Sequence, residues 1–178
     1  MKNVLLALCA VVLTVGLASA QTFGTSGTTT LSVTVGAEAS IQINTATTNL
    51  TIPGATTIFD NFTGSTSFTY KIRTTKTGGT GKVQLQITSD FVGAAGGSGP
   101  LAANNDLTYA CSVSAPATTA GTQTISTSSA KDCATFGANA HSANAGTGSN
   151  TVNWTLTNKP TFETDTYQAT ATFTISAT

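Results

Sequence analysis

From residue 31 to 43 the chain alternates without a break. Leu31, Val33, Val35, Ala37, Ala39, Ile41 and Ile43 are apolar, and Ser32, Thr34, Gly36, Glu38, Ser40 and Gln42 stand between them. Strand side chains point to opposite faces in turn, so a period of two marks a strand with one buried face. Thirteen residues would run about 43 Å, roughly twice a typical strand, so a bend or break is expected near Gly36. Leu50 and Ile52 precede the turn signal Pro53-Gly54. Phe68, Tyr70 and Ile72 alternate with Thr69 and Lys71, and Val83, Leu85 and Ile87 with Gln84 and Gln86. With the glycine turn 77–81 between them, segments 67–73 and 82–91 predict a hairpin.

The same period returns in Leu107-Tyr109-Cys111-Val113, in Val152-Trp154-Leu156, and in Tyr167-Ala169-Ala171-Phe173-Ile175. Segment 114–129 is poor in large apolar residues apart from Ile125 and reads as a surface excursion. Phe136 begins or caps a short strand, and 137–150 reads as a small, polar loop. Composition sharpens the picture. The chain has 39 Thr in 178 residues, 38 of them after residue 20. The branched Cβ of Thr loses rotamer freedom in a helix and suits a pleated sheet. One apolar face opposite a Thr/Ser/Gln face is the pattern of antiparallel sheets solvated on one side. The prediction is an all-β antiparallel two-sheet sandwich, immunoglobulin-like or jelly roll, of about seven to nine strands.

The N-terminus carries a different pattern. Lys2, an apolar run from Val4 to Leu17 and the small residues Ala18-Ser19-Ala20 make residues 1–20 a cleaved secretory signal. The run is too short to span a bilayer. Cleavage leaves 158 residues beginning at Gln21, with six basic and seven acidic side chains. Residues 21–36 are then an N-terminal extension and a candidate donor strand, and 37–178 one domain. Export to an oxidising compartment makes Cys111 and Cys133 a disulfide. The expected product is secreted or held at a bacterial cell surface, with no membrane span after cleavage.

Little in the chain carries chemistry. His141 is the one histidine and lies in a small-residue loop with no nucleophile elbow nearby. One His and a bridged Cys pair cannot hold zinc. The seven acids, Glu38, Asp60, Asp90, Asp106, Asp132, Glu163 and Asp165, are scattered among turns and name no catalytic pair. No residue is assigned a catalytic or cofactor role. Calcium is the one ion whose chemistry suits loop carboxylates, with Asn104-Asn105-Asp106 and Glu163-Thr164-Asp165 as candidate fragments; turn formation explains both as well. Asn49, Asn61 and Asn153 fit the N-glycosylation pattern, which carries little weight in a chain this rich in Thr. Trp154 is read first as a core aromatic and second as a platform for a surface glycan.

Charged residues are only 8% of the chain, with a formal balance of zero. That excludes nucleic acid as a partner, since phosphate neutralisation needs clustered Lys or Arg. Near-zero charge also favours association between copies. The 28–43 segment lacks the Lys or Pro that usually guards a strand edge. Leu31, Val33 and Val35 are therefore the candidate residues for adding a strand to a neighbouring copy. The export signal, the Thr-rich strands and the ending Tyr167-Gln168-Ala169-Thr170-Ala171-Thr172-Phe173-Thr174-Ile175-Ser176-Ala177 resemble bacterial surface and fibre subunits of immunoglobulin-like fold, fimbrial and spore-coat-U-type proteins among them. The cysteines depart from that layout by closing a mid-chain loop. The resemblance implies a non-enzymatic structural subunit that self-associates into a fibre, pilus-like polymer or coat. The alternative is a monomeric secreted module that binds glycan or another surface ligand.

Overall fold

Alternation becomes strand nearly wherever it occurs. The computed structural model describes residues 26–54 and 58–178; the expected export signal, residues 1–20, lies outside the described residues. In chain order the strands are β1 (Glu38–Ile43), β2 (Phe62–Arg73), β3 (Gly81–Gly93), β4 (Leu107–Ser112), β5 (Thr118–Thr119), β6 (Thr122–Thr124), β7 (Lys131–Phe136), β8 (Thr147–Leu156) and β9 (Tyr167–Ala177). They form two antiparallel sheets. One runs β1-β2-β8-β4-β6 and the other β5-β7-β3-β9. Among the described residues no helix is long and apolar enough to cross a membrane.

The apolar rows of the two sheets share one core. Phe68, Tyr70 and Ile72 of β2, Val83, Leu85 and Ile87 of β3, and Val152, Trp154 and Leu156 of β8 are all buried. Rings interlock between the sheets: Tyr70 meets the edge of Phe136 at 5.1 Å, and Phe68 meets Phe173 at 6.1 Å. The Cys111–Cys133 disulfide joins β4 of one sheet to β7 of the other. Closing a loop of this length removes chain entropy worth roughly 3 kcal/mol.

The hairpin expected of 67–73 and 82–91 does not form. β2 pairs with β1 and β8, whereas β3 pairs with β7 and β9, so the two lie in opposite sheets. The connection is an arch held from inside. Buried Thr74 donates through Oγ1 to the Gly137 carbonyl at 2.7 Å and accepts from the Ala140 N–H at 2.9 Å. The Thr75 N–H donates to the Thr178 carbonyl at 2.9 Å. Periodicity reports which face of a strand is buried, not whether its neighbour in sequence is beside it or across the core.

The alternation over 31–43 breaks near Gly36, as expected of so long a run. Regular pairing starts only at Glu38, two residues past Gly36. Arg73 fixes that starting point, donating through Nε to the Gly36 carbonyl at 2.7 Å and through Nη2 to Glu38 at 2.8 Å. Val35–Thr178 is one compact unit. Residues 26–34 form no regular element and are exposed throughout.

The excursion 114–129 turns out to be structural. β5 pairs with β7 in one sheet, and β6 pairs with β4 in the other, so the chain crosses between sheets at Gly121 (φ +77°). Ile125 then plugs the core. This side of the sandwich is laced shut. On the opposite side β1 and β9 are the two sheet margins. They approach each other without sharing a ladder.

Asn150, read from sequence as loop, is 0% exposed inside β8. Its Oδ1 accepts from the Ser114 N–H at 2.9 Å, and its Nδ2 donates to the carbonyls of Phe68 and Thr147 at 3.2 and 2.7 Å. It satisfies backbone groups beside the β2–β8 irregularity at Phe68/Tyr70. Asn150→Ala leaves them unpaired, which should lower unfolding free energy by about 1–3 kcal/mol in a denaturant titration. An unchanged midpoint would show that water replaces the amide.

Candidate functional site

β9 is an 11-residue margin strand with neither charge nor proline. Among the described residues it pairs only with β3, so its other backbone edge carries a row of unmatched N–H and C=O groups. Its inward side chains, Tyr167 through Ala177 at every second position, are half-buried and none is fully buried. The partner strand β3, by contrast, seals Val83, Leu85 and Ile87 at 0–2% exposure. On the facing margin Ala39 and Ile41 of β1 are also only half-buried, and Ile43 is exposed.

The open side contains a cleft of about 990 Å³. Its floor includes Ile87, Leu107, Trp154, Leu156 and Phe173, and Leu50, Phe62, Phe91 and Phe162 stand around it. The rim is made of Thr45, Thr47, Thr48, Asn49 and the 158–166 connection. The cleft is thus an apolar trough with a hydroxyl border, continuous with the inner face of β9.

Trp154 is 6% exposed, its indole N–H donating to Thr66 Oγ1 at 2.8 Å and its ring tilted on Tyr109 at 5.7 Å. It is a core aromatic, not an exposed sugar platform. Asn153 beside it lies exposed on the outer face of β8.

The carboxylates serve the scaffold. Asp90 accepts the N–H groups of Ala102 and Ala103 at 2.7 and 3.0 Å and so holds the 3-10 turn Ala102–Asn104. Asp106 is buried, pairs with Lys159 and accepts the Leu101 N–H at 3.0 Å. Glu163 and Asp165 accept the N–H groups of Ser98 and Ala95 at 3.1 and 2.8 Å, tying loop 93–99 to the start of β9. The Tyr167 hydroxyl donates to the Ser98 carbonyl at the same junction. The two candidate calcium fragments lie in a turn whose buried Asp106 meets a partly exposed Lys159 and in a loop strap. Among the described residues no three His, Cys, Asp or Glu side chains gather around a metal-sized site. Asp132 bonds Lys82 and Gln84, and the Lys82 hydrogen bond holds its carboxyl below the usual range. Burial, with the Asp132 charge adding to it, pushes the Tyr109 hydroxyl well above its ordinary value. That hydroxyl donates to the Lys131 and Asp132 carbonyls, a structural bond. His141 is exposed, with Nδ1 against the Asn139 carbonyl at 2.9 Å.

Leu31, Val33 and Val35 are 90%, 85% and 63% exposed. The sequence singled out these three but gave no hint of the cleft. Its lining comes from six separate segments, and only the topology brings them together. No family model, no curated protein and no solved structure matches this chain.

Proposed function

We propose that this chain is an exported, non-enzymatic structural subunit of an extracellular fibre or surface coat, assembled by strand addition through its N-terminal segment. The observation that carries the reading is the unguarded β9 margin beside an apolar trough, in a chain whose residues 31–35 form an exposed apolar alternation. Residues 26–35 reach about 33 Å when extended, and the eleven residues of β9 run about 36 Å, so one can cover the other. Backbone pairing supplies affinity in such a contact, and alternate side chains set the register. Leu31, Val33 and Val35 of one copy fill the trough of the next. A donor at one end and an acceptor elsewhere make the contact head-to-tail, which generates open polymers. The monomeric glycan-binding alternative has less support, because the single Trp is inside the core.

Removing residues 21–35 from the mature protein should leave the sandwich folded and abolish filaments in negative-stain micrographs. Filaments formed by the truncated protein as readily as by the full one would refute strand addition.

A further inference from the structure

The outer face of the five-stranded sheet has an unusual make-up. The ladder register brings Thr63, Thr155, Thr108 and Thr124 into one row across β2, β8, β4 and β6. The next row runs Ser65, Asn153, Ala110 and Thr122, and a third holds Ser67, Thr151 and Ser112. No charged side chain occurs in these rows. The charges on this face, Lys71, Arg73 and Glu38, gather at one end beside β1. The other sheet differs: its outer face carries the Lys82–Asp132 pair.

We propose that this hydroxyl face is a lateral contact between copies of this chain, one that holds only when many copies are arrayed. Two arguments identify the occupant as a second copy. A hydroxyl both donates and accepts, so a lattice of hydroxyls complements itself, and a neutral lattice meets its copy without like-charge repulsion. Area fixes the strength. Four strands about 4.8 Å apart and three rows about 6.8 Å apart give a patch of roughly 400 Å² on each copy. A stable pair needs about 800 Å² per partner. Two free copies therefore separate, whereas a row of copies fixed in one orientation gains avidity from repetition. In the filament proposed above, this face joins filaments side by side; the inference rests on that reading for its biological setting but not for its test.

The test uses multivalent display, which does not require strand addition. The full mature chain is coupled through its N-terminal amine to beads, and bead clustering in buffer alone is counted. Wild-type beads should cluster. Thr108→Lys/Thr155→Lys should reduce clustering at least tenfold, and Thr135→Lys on the outer face of the other sheet should leave it unchanged. Ser65→Lys/Ser112→Lys repeats the test at other points of the face in case the first pair unfolds the sheet. Face variants that cluster like wild type, or wild-type clustering that needs an added polysaccharide, would overturn the proposal. Micrographs of the uncoupled protein report filament formation separately, so a failure of strand addition and a failure of this face are told apart.

Discussion

A proline at Ala171 should leave the sandwich folded and stop it from accepting a strand. The Ile87 N–H donates to the Ser126 carbonyl at 3.1 Å, away from β9. The Ile87–Ala171 pair is therefore of the non-hydrogen-bonded kind, and the Ala171 N–H points to the open edge rather than into the ladder. Proline at that position removes a donor the domain does not use itself and places a ring where an incoming strand must pair, a device found on natural margin strands. Filament mass at fixed concentration should fall at least tenfold, while the thermal midpoint moves by no more than a few degrees. Full assembly with a normal melt would show that β9 is not the acceptor. Mixing each variant with wild type separates the roles: the Ala171→Pro protein still donates and caps growth at one end, and the arm-deleted protein still accepts and caps the other.

Trp154→Ala should be the most damaging single substitution to the fold, at roughly 3–5 kcal/mol. The ring is buried against Tyr109 and forms part of the trough floor, and its N–H is matched by Thr66. Truncation opens a cavity under β8, the strand shared by the β2 and β4 ladders. Against a typical domain stability of 5–15 kcal/mol, that loss is a large fraction. The check is a denaturant titration of both proteins under non-reducing conditions. A loss under 1 kcal/mol would mean that Trp154 is placed for a ligand rather than for the core.

The alternation in residues 67–73, 82–91 and 107–113 specified strands and buried faces, because period two is a direct consequence of the pleat. The fold class and the Cys111–Cys133 bridge were legible for the same reason: both rest on local patterns and on residue chemistry. Partnership was not legible. β2 and β3 have equivalent patterns, and what sends them to opposite sheets is a buried Thr74 whose bonds go to residues more than sixty positions away. Asn150 escaped notice because a polar residue among Gly, Ser and Asn reads as loop until its three backbone partners are seen. The trough escaped for the reason given by its lining. Leu31, Val33 and Val35 stood out because they alternate with small polar residues and no Lys or Pro guards them.

The clamp of Arg73 on Gly36 and Glu38 has a mechanical consequence. Any pull on the N-terminal segment enters the sandwich at Gly36 and loads the β1–β2 ladder, with the guanidinium as its first rivet. The disulfide bridges β4 and β7, off that load path. Reduction would thus weaken the domain against heat while leaving its tensile grip nearly intact.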